Sequence, residues 1–331
     1  VDASSLKLYD PSGLEYLAGN FFLWGNSVFG ATPGYWGVKR SSDGVTWNHA
    51  AGNNSVGAYL GMATDNTTVV LLTSLWLASA TTPFSSFSFS GVHGIDTTYT
   101  VVDIAFGAGL FCVVGYKAGV GVGIWTRVDA TSGAWTKQNN PTGLSTSAQI
   151  RDLRYDSNLG FLAVCQNSAA SYFCLKSTDG VTWTKHAMQN TSGFMEKLAV
   201  NAGRLVAAGS SGTKMEVSID GGATWIDVPF FTDLLASSSR QMVWQSLSAT
   251  PTGFLISTRT GTGSTPNWYE EQVYQSDNGV SWTQAAALPE GLGAAENENA
   301  GPFAHNGTVL VHAIGNGLST AAANHAVLTT I

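Results

Sequence analysis

The segment from Ile104 to Gly115, IAFGAGLFCVVG, is written seven times along the chain in degenerate form. The other copies are LEYLAGNFFLWG from Leu14, MATDNTTVVLLT from Met62, LRYDSNLGFLAVC from Leu153, LAVNAGRLVAAG from Leu198, LSATPTGFLIST from Leu247 and PFAHNGTVLVHA from Pro302, 42 to 55 residues apart. Each reads as a short strand, a tight Gly/Asn turn and an apolar strand. A third strand follows and runs into a second recurring element. That element is SSDGVTW from Ser41, STDGVTW from Ser177, SIDGGATW from Ser218 and SDNGVSW from Ser276, with weaker versions around Phe87 and Trp135. A fourth strand carries its Trp.

Four strands per repeat at this spacing predict an all-β fold, a β-propeller of four-stranded antiparallel blades, because one such sheet cannot bury both faces alone and must stack on its neighbours. Seven blades are expected, starting near residues 14, 62, 104, 153, 198, 247 and 302, in a single domain spanning 1–331. The seventh copy runs out after three strands at Ile331. Residues 4–9, SSLKLY, are expected to complete blade 7 as its outer strand, tying the N-terminus to the C-terminus and removing an open edge. Composition agrees: Thr, Val and aromatics suit strands, and the 38 Gly suit turns.

The second element resembles the Asp-box, or BNR, repeat of the propellers found in sialidases, sortilin-type receptors and many bacterial and phage proteins. Ser218 to Trp225 fits S-x-D-x-G-x-T-W outright, and the other three copies are one residue shorter. The resemblance implies a fold and leaves function open. The residues themselves favour a structural reading of Asp43, Asp179, Asp220 and Asp277 with Trp47, Trp183, Trp225 and Trp282. A carboxylate in a turn accepts nearby backbone N–H groups, Gly supplies a positive φ, and the indole packs between blades.

A site is expected where the innermost strands begin. The residues preceding the seven repeat starts are Gly13, Gly61, Asp103, Asp152, Lys197, Ser246 and Gly301, and Arg151 and Glu196 add two neighbouring charges. With Gln245 before Ser246, blades 3 to 6 thus present a mixed-charge, hydrogen-bonding arc at the expected channel mouth, and blades 1, 2 and 7 present Gly. The loops joining second and third strands should open on the same face. In blade 1 that loop is expected to carry Tyr35 and Trp36, and in blade 6 Trp268 and Tyr269, rings of the kind that stack on sugar faces. The bland alternatives are a self-neutralised channel mouth and aromatics that cover blade edges.

An enzyme would need more. The sialidase resemblance implies three arginines gripping a substrate carboxylate and a Tyr activated by Glu, for which Arg151, Arg240, Arg259, Tyr269 and Glu270 are the candidates. Residues 8–17, LYDPSGLEYL, lack the Arg-Ile-Pro segment of that family. Other glycosidases use two carboxylates about 5 to 10 Å apart, which Asp103 and Asp152 on adjacent blades would have to supply. Nucleophile elbows, phosphate loops and metal-ligand spacings are missing, so neither metal nor cofactor is expected. Cys112, Cys165 and Cys174 read as buried free thiols. Asn53, Asn66, Asn190 and Asn306 open N-x-Ser/Thr triplets.

Charged residues make up 11% of the chain, against about 25% in ordinary soluble domains. The net charge of −7 without a basic run argues against a nucleic-acid surface, and no stretch predicts a membrane-spanning helix. A chain opening on Val1 reads as a processed protein or a piece of a longer one. Together these features point to a non-enzymatic recognition head on an extracellular or virion surface, similar to phage tail-fibre or spike proteins. Its expected partner is a cell-surface glycan or surface protein, and a fibre would make it a homo-oligomer, a trimer. The alternatives are a secreted glycoside hydrolase and a structural assembly module.

Overall fold

The computed structural model describes residues 8–29, 32–52, 57–84, 86–92, 94–168, 171–189, 195–209, 214–229, 240–242, 247–262, 267–285, 298–316 and 325–330. Every regular element among them is a strand. The first sheet is β1 (Leu8–Leu17), β2 (Asn20–Phe29), β3 (Thr32–Ser41) and β4 (Asn48–Gly52). The second is β5 (Tyr59–Thr64), β6 (Thr68–Thr73), β7 (Trp76–Thr81) and β8 (Ser88–Val92). The third is β9 (Thr100–Gly107), β10 (Leu110–Lys117), β11 (Gly121–Arg127) and β12 (Thr136–Lys137). Next come β13 (Gln149–Asp156), β14 (Gly160–Ser168), β15 (Ser171–Ser177) and β16 (Thr184–Ala187), then β17 (Met195–Asn201), β18 (Arg204–Gly209), β19 (Met215–Ser218) and β20 (Ile226–Asp227).

The sixth sheet holds β21 (Arg240–Met242), β22 (Ser248–Thr250), β23 (Gly253–Thr262), β24 (Asn267–Ser276) and β25 (Thr283–Gln284), with β21 and β22 both paired to β23. The last sheet is β26 (Glu298–His305), β27 (Val309–Asn316) and β28 (His325–Thr330). All pairings are antiparallel and, apart from β21 with β23, join consecutive strands, as the repeat predicts. The expected seven four-stranded blades become six: five sheets have four strands, the sixth has five because β21 and β22 both pair with β23, and among the described residues the last sheet has only three.

The proposed closing strand is also corrected in part. Residues 4–7 lie outside the described residues, but Leu8 and Tyr9 belong to β1, where Leu8 faces Ser27 of β2. Those two residues are already spent on the first sheet and are not a strand of the last. The first and last sheets meet through side chains instead: Leu14, Phe21, Leu23 and Trp47 pack with Ala304, Val311 and Ala313.

The chain groups into two compact units, residues 1–55 with 230–331, and residues 56–229. In the second unit the inner strands β5, β9, β13 and β17 lie side by side in chain order. Apolar faces fill the spaces between their sheets. Ile104, Phe111, Val113 and Trp125 meet Val70, Leu72 and Leu77 on one side, while Cys112, Val114 and Ile124 meet Leu153, Phe161 and Ala163 on the other. Leu162, Val164 and Cys174 meet Leu198, Leu205 and Ala207 across the next interface. Strands buried on both faces explain why β6 and β14 read as continuous apolar runs rather than alternating ones. The three cysteines are free, buried thiols; burial pushes those of Cys165 and Cys174 up to about 12.

The first hairpin of several sheets turns on Ala-Gly, and both residues take positive φ: Ala108 at 48° with Gly109 at 77°, and Ala202 at 49° with Gly203 at 83°. Two consecutive positive φ values match the twist of the flanking strands.

The Ser-x-Asp-Gly element joins third and fourth strands, and its polar groups close on themselves. Asp179 Oδ1 accepts the amides of Val181 and Thr182 at 2.8 and 2.7 Å and the Ser177 hydroxyl at 2.9 Å. The Trp183 indole N–H donates to Gly180 O at 2.9 Å while its ring joins the core shared by the third and fourth sheets. Asp43 and Asp220 repeat the arrangement. The fourth copy corrects the sequence reading: Asn278, not Asp277, accepts Val280 and Ser281 at 2.8 and 2.9 Å. Counting back from Gly279, the acceptor position is one residue before the glycine, where Asn stands.

Hydrogen bonds donated to the carboxylates hold these aspartates below the ordinary carboxylate range. Thr182 dominates for Asp179 and Thr224 for Asp220. A folded pKa below the unfolded value near 3.9 gives stability that is full above that value and fades as the pH falls toward the folded pKa. Asp220→Asn is therefore expected to lower the urea midpoint at pH 7, with the gap to wild type shrinking by pH 3. A gap that stays constant or widens would contradict the assignment.

Candidate functional site

The inner strands of the second unit share an irregularity that alternation alone does not reveal. Each carries one extra residue at the same place: Leu60 between Tyr59 and Gly61, Val102 between Val101 and Asp103, Arg151 between Ile150 and Asp152, and Glu196 between Met195 and Lys197. A bulge sets two residues opposite one and re-aims a side chain. The charged pairs Arg151–Asp152 and Glu196–Lys197 are therefore a bulge and its successor on neighbouring strands, β13 and β17.

Their roles differ. Asp152 is 1% exposed, and its Oδ2 accepts the Leu198 amide of the next sheet at 2.7 Å. Its Oδ1 lies 3.3 Å from Arg154 Nη2 and 4.0 Å from Lys197 Nζ. Arg154 Nε donates in turn to Leu198 O at 3.1 Å, so both backbone polar groups of Leu198 are held by side chains of β13. Asp103 does the same one sheet earlier. Its Oδ1 accepts the Ile104 amide at 2.8 Å and its Oδ2 the Leu153 amide of β13 at 3.2 Å. Gly61 makes room for it, since a Cβ there would stand 2.2 Å from Asp103 Oδ1. The two carboxylates that a glycosidase would have to use thus each strap one inner strand to the next.

Arg151, Arg154, Glu196 and Lys197 are the half-exposed charges of the cluster. The Arg151 guanidinium donates to Gln166 Oε1 at 2.8 Å. Burial raises the pKa of the nearby Tyr172 hydroxyl, with Arg151 opposing and Glu196 adding to the shift. The sequence did not single out Gln166, Tyr172 or Arg154; all three face the bulge only after the strands are paired. Asp103, Arg151, Asp152, Glu196 and Lys197 are brought together on three successive strands, β9, β13 and β17. No group of three or more His, Cys, Asp or Glu with metal-binding geometry occurs among the described residues.

The aromatic candidates fall in the first unit, and not in loops. Tyr35 and Trp36 lie on β3, paired with Ser27 and Asn26. Trp268 and Tyr269 lie on β24, where Trp268 faces Gly261. Extending the hairpins satisfies backbone N–H and C=O groups that a loop would leave to water. Arg240 and Arg259 sit on paired strands of one sheet, β21 and β23. Gln245 and Ser246 lie outside the described residues.

No protein-family model and no curated protein matches the chain. Solved structures do. A GH74 xyloglucanase from Xanthomonas campestris superimposes with a TM-score of 0.60 at 13% identity over 96% of this chain, which spans about half (53%) of that enzyme. YCF48 from Cyanidioschyzon merolae gives 0.61 at 12% identity over 94% of both chains. The Swd1 β-propeller domain from Myceliophthora thermophila gives 0.60 at 8% identity over 93% of both. The fold is a β-propeller. An enzyme and two propellers not described as enzymes share it, so similarity at this level carries no activity with it.

Removing Asp152 leaves the Leu198 amide without this acceptor and takes away one ion-pair partner of Arg154, which keeps its bond to Leu198 O. Asp152→Ala is expected to destabilise by about 1 to 3 kcal/mol, the range for leaving a buried donor unsatisfied, and Asp152→Asn by clearly less because an acceptor remains. Equal, small losses in urea denaturation would remove Asp152 from its structural role.

Proposed function

We propose that this chain is a recognition propeller that binds a cell-surface carbohydrate or surface protein and turns nothing over. The observation that carries the reading is the use of Asp103 and Asp152. A glycosidase needs one carboxyl free to give a proton and another free to attack or activate water. Here both are bonded to backbone amides of the adjacent strand, and Asp152 also has two cationic neighbours. What remains half-exposed is a pair of guanidinium groups, a carboxylate and an ammonium, groups suited to hydroxyls, carboxylates and amides. The sequence also carries Tyr35, Trp36, Trp268 and Tyr269, residue types that stack on sugar faces. The Ser/Thr/Gly/Asn-rich, weakly charged composition supports a setting in a phage tail fibre or spike, on the virion surface, with a homotrimeric fibre as its assembly.

Incubation on a glycan array, followed by product analysis, tests this. Wild-type protein should retain glycan and release no shorter product, while Lys197→Ala and Trp268→Ala should each weaken retention by roughly 1 to 3 kcal/mol with folding intact. Cleavage that disappears in Asp103→Asn or Asp152→Asn would establish a glycoside hydrolase instead.

A further inference from the structure

Two asparagines followed by glycine occupy turn positions that other blades fill with aspartate. Asn278–Gly279 stands where Asp43, Asp179 and Asp220 stand in the other copies of their turn. Asn306–Gly307, in the β26–β27 hairpin, is the counterpart of Asp65 in the β5–β6 hairpin. Asp65 Oδ1 accepts the amides of Thr67 and Thr68 at 2.9 and 2.7 Å, and Asn306 Oδ1 accepts those of Thr308 and Val309 at 2.9 and 2.8 Å. The backbone closes alike, Asp65 N–H to Thr68 O at 3.3 Å and Asn306 N–H to Val309 O at 3.2 Å. Asp156 uses the same pair of bonds, to Asn158 and Leu159.

We propose that Asn306 is a self-modifying site, where the chain's own backbone converts the carboxamide to a carboxylate. The Gly307 amide nitrogen, giving its proton to solvent base, attacks Asn306 Cγ. The N–Cγ bond forms, the Cγ–Nδ2 bond breaks, and Nδ2 takes up a proton and leaves as ammonia. Water then opens the resulting five-membered imide at one of its two carbonyls, leaving aspartate or isoaspartate. Negative charge develops on Oδ1 during the attack, and the Thr308 and Val309 amides already point at that atom, as donors do in an oxyanion hole. Gly307 is exposed at φ 92°, with open space where a side chain would stand, so solvent base reaches its amide.

Asn278 supplies the internal contrast. Its Oδ1 has the same two donors, but the Gly279 amide is buried and donates to Ser276 Oγ at 2.8 Å, which holds the proton that must leave. The aspartate form at 306 keeps the turn, as Asp65 shows. The isoaspartate form inserts a methylene into the backbone and loses both amide bonds.

The test is peptide mapping by mass spectrometry of the intact, folded chain during incubation at mildly alkaline pH, beside two synthetic peptides, one spanning Asn278–Gly279 and one spanning Asn306–Gly307. Asn306 in the folded protein should convert at least tenfold faster than Asn278, while the two free peptides convert at similar rates. Asn306→Gln should abolish the change at that position, and Asn306→Asp should show an unchanged urea midpoint. Conversion at Asn278 that equals or outpaces Asn306 in the folded chain would overturn the proposal. So would a folded Asn306 that stays intact while its peptide converts.

Discussion

An ionised carboxylate taken out of water has to find donors, and Asp152 finds them on the neighbouring sheet. A blade of four antiparallel strands satisfies its own ladder hydrogen bonds internally, so blades otherwise meet largely through apolar side chains, which attract without direction, with a few side-chain bonds such as Lys176 Nζ to Gly221 O and the Gln189 amide to Glu216 Oε2. The bonds from Asp103 to the Leu153 amide and from Asp152 to the Leu198 amide add direction where the inner strands start. They fix how far one inner strand slides along the next. The bulges at Val102 and Arg151 place these carboxylates within reach, and Gly61 clears space for the first of them.

The same arrangement decides what the charged cluster is able to do. Each carboxylate that points across an interface is committed to structure, while Arg151, Arg154, Glu196 and Lys197 keep part of their surface in water. Binding needs only such exposed, oriented groups; hydrolysis needs carboxyls that gain and lose protons during the reaction. A fold shared with a xyloglucanase and with YCF48 leaves that choice to the residues, and here the residues favour recognition.

Much of the architecture was legible because a repeat multiplies weak signals. One strand–turn–strand copy is ambiguous, but seven in register locate all the inner hairpins, and the Gly and Trp of the turn element mark where third strands end. Three things escaped. The bulges at Arg151 and Glu196 escaped because one extra residue in a short strand of mixed burial looks like imperfect alternation. The extents of β3 and β24 were hidden because residues 30–35 and 261–266 are rich in turn formers, whereas Thr32 and Tyr35 pair with β2 and Asn267 and Trp268 with β23. The bond donors of Asp103 and Asp152 are backbone amides of another repeat, which no side-chain motif records. Asn278 was legible, since the acceptor directly precedes the glycine in the shorter copies.

The most direct measurement of the central claim is native-state amide hydrogen exchange at Leu153 and Leu198. If Asp103 and Asp152 strap the inner strands, both amides should exchange only with opening of the whole unit, as slowly as the core amides of β10 and β14. The Leu198 amide should lose that protection in Asp152→Ala while Leu153 keeps it. Fast exchange at both positions in the wild-type chain, comparable to the exposed turn at Ser157 and Asn158, would show that the carboxylates hold nothing across the sheets.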